Sequence, residues 1–363
     1  MRILFQVPLC LLGALCLAAP AARAHPEYRV TIVAGANSYA YDINNAGVVV
    51  GSIEYKDGVR GFVNRGKGML LLGALGGVHS RAVAINNQGE VLGQWTTATG
   101  LTRGFVYCAG VQRDIGVRPG YDTFFTDIND RGYMTAIGRK YDSFEGSRSF
   151  LRAPDGRYRD IGSLPFDDPL TDAYALNNSN TITGISGPLI FPGLPVRAMM
   201  WSKGIMRDLG DVGSEPNAGY AINNAGQITG YASVPDTLHD RVATLYSKGR
   251  LIDIDRRPAT VSRFSEGAGI NNHGHIVGYS DHLAGFVYRG RKMQSLNAMI
   301  DPRSGWNIQF PRAINDSGQI AATAYRNGQQ YAVRLDLIRP HLLQLPMPDD
   351  GEQGPDAGPQ RQQ

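Results

Sequence analysis

Polar side chains recur at one position along this 363-residue chain: Ser38, Ser80, Thr123, Thr171, Asn217, Ser265 and Gln309. Each stands five residues before an apolar anchor, at Ile43, Ile85, Ile128, Leu176, Ile222, Ile270 and Ile314. Seven hydrogen-bonding groups at a fixed offset could form a collar around a polar ligand at the mouth of a channel. The plainer reading is that short polar side chains satisfy loop backbone at strand entries. A second set comprises Arg256, Arg257, Arg263 and Trp306, in the longer segments 256–266 and 297–310. Guanidinium forks and an indole face suit a sugar or an anion, although solvated loop residues would look the same. A third long segment, 187–196, carries no such set.

Catalytic and metal chemistry find little footing. No Gly-x-Ser-x-Gly elbow, phosphate loop or His-Glu-x-x-His motif is present. Asp127-x-Asn129-Asp130 and Asn315-Asp316 resemble oxygen ligands but lack the spacing and closing Glu of a calcium loop. They read as turn residues, as do His273 and His275 on either side of Gly274. His25 could bind copper only with a second, fold-placed histidine. No metal and no cofactor is expected.

These residues must be positioned by a repeat. The anchors are separated by 42, 43, 48, 46, 48 and 44 residues, the mark of stacked supersecondary units. After each anchor comes an asparagine without exception: Asn44, Asn86, Asn129, Asn177, Asn223, Asn271 and Asn315. Its side chain can accept from the N–H two residues on, forming an Asx-turn. The next residue is Asn or Asp. The fourth is Gly in every repeat but one, where Asn180 stands; a hairpin loop ending in the left-handed region tolerates Gly best and Asn next. These asparagines are therefore assigned to turn structure.

Around that turn, residues 82–116 read as a four-stranded antiparallel meander. Small residues precede the anchor (Ala82 and Ala84, Ala173 and Ala175, Gly219 and Ala221), while the third strand is bulky at Phe62, Phe105, Phe150 and Met199. Small inside and large outside is the taper of a radial β-propeller. The last repeat has three strands and no fourth, whereas Tyr28 to Val33 reads as a strand with no blade. The expectation is an all-β, seven-bladed propeller whose N-terminal strand completes blade 7; an open, solenoid-like stack is the alternative.

The Ala-Ile-Asn-Asn-x-Gly-x-Val-x-Gly pattern, the aromatic third strand and Leu72-Gly73-Ala74-Leu75-Gly76-Gly77 resemble the bacterial extracellular HAF-repeat proteins over about residues 27–337. Where that family tends to carry His-Ala-Phe, this chain has Arg60-Gly61-Phe62, Arg103-Gly104-Phe105, Arg148-Ser149-Phe150 and Arg197-Ala198-Met199. The resemblance implies an exported repeat protein and no particular reaction. In three repeats an Asp follows on the fourth strand (Asp114, Asp160, Asp208), so Arg–Asp pairs across the ladder are expected rather than a binding ring.

The ends bound the domain. Residues 1–24 read as a signal peptide, with Ala22-Arg23-Ala24 as cleavage site, 25–338 as the propeller, and 339–363 as a disordered tail rich in Pro, Gln, Gly and Asp. The formal charge of +4 falls to +2 without Arg2 and Arg23, too mild to argue for nucleic acid. No later stretch suits a transmembrane helix. After cleavage Cys108 is the only cysteine, so no internal disulfide can form and a large core must serve instead. A secreted or periplasmic monomer follows, with a non-catalytic binding function towards a glycan or another envelope or extracellular protein. The alternatives are a polysaccharide lyase or hydrolase acting at the channel mouth, and a structural surface protein.

Overall fold

The computed structural model describes residues 26–140, 145–188, 196–235, 240–258 and 261–338. The segments assigned to the signal peptide and the tail lie outside them.

Seven four-stranded antiparallel sheets form the blades of a propeller. Blade 2 shows the plan: inner strand His79–Ile85, second strand Val91–Thr96, third strand Thr102–Cys108 and outer strand Val111–Gly116. Blade 7 takes its inner three strands from Asn307–Ile314, Ile320–Arg326 and Gln329–Leu337, and its outer strand from Tyr28–Ala36. Val30 pairs with Leu335 and Ile32 with Val333, so both ends of the described chain share one sheet. The expected closure is the observed one.

Turn chemistry explains the tight hairpin of each blade. The fourth turn residue has φ between 58° and 79° in all seven repeats, with Asn180 at 58°. Asn44 Oδ1 accepts from Ala46 N (3.1 Å) and Val48 N (3.0 Å), holding the loop as an Asx-turn.

Blade-to-blade packing explains the tripeptide at the start of the third strand. Its last residue fills the core: Phe62, Phe105, Phe150, Met199 and Phe286 are fully buried. A Cβ on second-strand Gly93 would fall 2.1 Å from Phe105 Cζ, so the glycine makes room for the ring. The middle residue is small because the next blade lies against it; a Cβ on Gly104 would stand 2.3 Å from the Phe125 ring. The arginine pairs across the ladder as expected: Arg103–Asp114 at 2.6 Å, Arg148–Asp160 at 3.5 Å and Arg197–Asp208 at 2.8 Å. These pairs are half-exposed and contribute about 0–1 kcal/mol each.

One regular feature was not expected. Every inner strand carries a β-bulge two residues before its anchor, at Tyr41, Val83, Thr126, Tyr174, Tyr220, Ala268 and Arg312. A bulge leaves one residue unpaired, bends the strand and re-aims side chains.

Candidate functional site

The channel has two ends of different chemistry. At the turn end, the seven asparagines do more than hold their own loops. Each Nδ2 donates to the main-chain oxygen of the equivalent asparagine in the next blade, from Asn44 to Asn86 and onward to Asn315, which returns to Asn44; the distances are 2.9–3.1 Å. A second ring runs beside it. The N–H of Asn45, Asn87, Asp130, Asn178, Asn224, Asn272 and Asp316 each donates to the side-chain oxygen of the next member at 2.7–3.0 Å. The two rings surround a small cavity of about 150 Å³. Asp130 Oδ2 accepts from Asn87 and Asn178, and Asp316 Oδ2 from Asn45 and Asn272. Their carboxylates are thus engaged by amides of the neighbouring blades, contacts beyond the local turn role read from the sequence. His275 departs from that reading: it is buried, and burial followed by the nearby His273 pushes its imidazole down to about 4.

At the opposite end, where the inner strands begin, the proposed collar does not face the channel. Ser38, Ser80, Thr123, Thr171, Asn217 and Ser265 are all buried. Ser80 Oγ accepts from Gly61 N of the preceding blade at 3.0 Å, Ser265 Oγ from Ala243 N at 3.0 Å and Ser38 Oγ from Ala332 N at 2.7 Å. Asn217 Oδ1 accepts from Ala198 N in the same way. Thr123 Oγ1 takes Arg118 N in the incoming connection, and Thr171 Oγ1 meets Ser186 Oγ of its own blade. These residues join backbone to backbone, and most of them bolt one blade to the next. Gln309 is the exception: an extra bulge between Ile308 and Phe310 leaves it part-exposed while Ile308 takes the buried place.

Strand alternation puts the open row one residue later. Tyr39, Arg81, Phe124, Asp172, Glu266 and Phe310 stand four before their anchors and are part-exposed or exposed. With the bulge residues they line the entry mouth. Ring contacts run on from blade to blade: Tyr174–Tyr220 at 5.7 Å, Tyr220–Tyr231 at 5.6 Å, Phe264–Tyr279 at 6.2 Å and Tyr279–Phe310 at 5.6 Å between centroids. Arg241 links the two halves, its guanidinium 4.9 Å from the Tyr231 ring centre and 4.0 Å from that of Phe264. Arg241 also pairs with Glu266. Tyr39 and Tyr41 stack at 6.4 Å in blade 1. Arg81 and Arg312 are exposed and have no ion-pair partner among the described residues. Burial pushes the phenols of Tyr174, Tyr220 and Tyr231 up, so they remain neutral donors.

Deeper on the inner strands, Asp42 and Asp127 stand one before their anchors, where Ala84, Ala175, Ala221 and Ala313 occur in other blades. Asp42 accepts from Ile43 N and, across the blade gap, from Ile85 N, both at 2.8 Å; Asp127 accepts from Ile128 N at 2.8 Å and Leu176 N at 2.9 Å. Burial pushes Asp42 up to about 7, partly offset by its two backbone donors. Burial, then the Asp42 charge, pushes Asp127 to about 8. Both oxygens of each carboxyl are already bonded to backbone, so they clamp blade to blade.

The arginine set is divided. Arg257 grips Asp255 through two bonds of 2.9 and 2.8 Å and reaches Asp281 at 2.7 Å. Arg263 is buried against Asp253 at 2.9 Å. Burial opposes ionisation of Asp255, but hydrogen bonds from Arg257 and Ser265 outweigh it and hold the carboxyl below the usual range. Arg256 is exposed on a groove with Arg257 and His282. Trp306 instead meets Tyr331 edge-on at 5.5 Å, with Arg326 at 5.3 Å, and lines a different groove beside Tyr28 and Val30. The four residues therefore do not form one site.

No family model matches the chain, and no curated protein matches it. Among solved structures it is similar to the β-propeller domain of the trilobed protease from Pyrococcus furiosus (TM-score 0.54, 11% identity, 84% of this chain and 95% of that one). It is also similar to YCF48 bound to the D1 peptide (TM-score 0.52, 10% identity, 87% and 98%). Acylaminoacyl peptidase from Pyrococcus horikoshii gives a TM-score of 0.54 at 10% identity, over 81% of this chain and 52% of that enzyme. At these identities the likeness is one of fold.

Proposed function

We propose that this chain is an exported, non-catalytic binding propeller that takes a glycan at the entry mouth of its channel. The observation that carries the reading is the run of aromatic rings from Tyr174 through Tyr220, Tyr231, Phe264 and Tyr279 to Phe310. Part-exposed tyrosine and phenylalanine faces stack on the C–H faces of sugar rings, and neutral phenols supply oriented donors. Arg81 and Arg312 add charged forks for ring hydroxyls or carboxylates. Export and a secreted or periplasmic setting are part of the proposal; they follow from the leader pattern and from the likeness to HAF-repeat proteins.

A channel-mouth lyase or hydrolase is the competing function. Against it stands the engagement of both oxygens of Asp42 and of Asp127 by backbone donors, which leaves neither placed to move a substrate proton.

The test is a glycan array and a pull-down from envelope extract with the mature chain, repeated with the Tyr220→Ala/Tyr279→Ala variant. Glycan capture that the variant weakens tenfold or more is the expected result. Capture of a protein partner alone, or no capture in either format, contradicts the reading.

A further inference from the structure

A further cavity lies on the turn face, between blades 3 and 4, about 460 Å³ in volume. Its floor is aromatic: Tyr133, Tyr158 and Trp201 line it. Three cations, Arg157, Arg159 and Lys203, complete the wall, and no acidic residue lines it. Arg159 lies over the Trp201 ring at 5.1 Å, Arg131 over Tyr133 at 5.5 Å and Arg152 over Tyr158 at 5.8 Å. Three cations thus line the groove, and two more, Arg131 and Arg152, lie over rings of its floor. Arg157 pairs with Asp155 at 2.7 Å, and Asp155 does not line the groove. Across the whole chain Lys and Arg number 36 against 32 Asp and Glu, so this local excess is a concentration of charge and not a reflection of composition.

The elements hold these groups in place. Lys203 sits at φ 52° in the tight turn before Gly204. A Cβ on Gly204 would fall 2.7 Å from Arg159 Nη2, so the guanidinium is laid over that turn as well as over the indole. Packing a cation on an aromatic face fixes the side chain and lowers the ordering cost of binding. Arg157, Arg159, Arg131 and Lys203 remain exposed.

We infer that this inter-blade groove binds a sulfated or phosphorylated saccharide, with the sugar ring against Tyr133 and Tyr158 and its anionic ester groups on Arg159 and Lys203. The volume falls within the range of small-ligand pockets, about 300–1,000 Å³. Guanidinium forks match tetrahedral oxyanions two bonds at a time. This site shares no residue with the entry mouth and stands or falls separately from the function proposed there.

The test uses the full chain with two probes, persulfated maltohexaose and unmodified maltohexaose, followed by titration calorimetry and tryptophan fluorescence. The persulfated probe is expected to bind and to weaken steeply with salt, while the neutral probe binds at least tenfold more weakly. Arg159→Ala/Lys203→Ala should reduce binding tenfold or more, with the thermal midpoint lowered only slightly by the loss of the Arg159 contact with Trp201. Single-site Lys203→Glu, a change confined to a surface turn, should do the same. The control variant Lys56→Ala/Lys67→Ala, on exposed turns of blade 1 outside both sites, should bind as the parent does. Equal binding of the neutral probe, full affinity in both groove variants, or an equal loss in the control variant would overturn the inference. So would a single-stranded oligonucleotide of equal charge that binds more tightly.

Discussion

At the scale of single residues, the asparagine after each anchor serves two purposes. Its oxygen closes its own turn, and its amide nitrogen joins the next blade. Asn223→Asp separates them, because the acceptor survives while the donor becomes an oxygen facing the Asn271 carbonyl. A loss of about 1–3 kcal/mol is expected for the orphaned, buried carbonyl, read from the urea midpoint; no loss would show the ring bond to be idle. A different residue-scale test concerns pH. Asp42 and Asp127 titrate at about 7 and 8 in the native protein, above the ordinary aspartate value of 3.8. Raised native values favour the protonated form, so the pair's contribution is complete below about pH 4 and is lost as the pH climbs through 7 and 8. Replacing both by Ala, the residue that four other blades carry there, should remove this decline. The stability difference between parent and variant, measured from pH 5 to 8.5, should shift against the parent; a constant difference contradicts the assignment.

At the scale of elements, the repeated strand is where the sequence was most and least legible. Blade number, strand count, turn type and the Arg–Asp ladder pairs are local, and periodicity with turn chemistry exposes them. The facing of the inner strand is not local. Ser80 and Arg81 are neighbours, yet one bolts two blades together and the other is open to the mouth. A regular polar residue marks a position that matters without saying towards which side it points. The pattern of small residues could have settled it, since Ala82 shares the buried face with Ser80. The asparagine rings were hidden for another reason: they depend on the register between blades 42 to 48 residues apart, which no turn motif encodes. The packing account gives two contrasting expectations. Phe105→Ala should cost about 3–5 kcal/mol, as for other buried aromatics. Arg103→Ala should cost under about 1 kcal/mol and less still in high salt. Comparable losses from the two, by chemical denaturation, would contradict it.

At the scale of the whole molecule, the ring is held shut at three levels: the Tyr28–Ala36 strand in blade 7, the two asparagine rings, and the blade-to-blade side-chain bolts. Thr31 pairs with Arg334 across the closing strands. Thr31→Cys/Arg334→Cys, made with Cys108→Ser, should therefore oxidise to an intramolecular disulfide and raise the unfolding midpoint; failure to cross-link would place the closing strand elsewhere. A shut ring supplies the rigid frame on which an entry mouth of aromatic rings and free arginines can be preorganised. The measurement that bears most directly on this account is hydrogen exchange of the full chain with and without a glycan captured on the array. Protection is expected at the inner-strand entries of blades 4 to 7, around Tyr174, Tyr220, Glu266 and Phe310, with the asparagine turns unchanged. Protection confined to the turn face or the outer strands, with a captured glycan that carries no sulfate or phosphate, would contradict it.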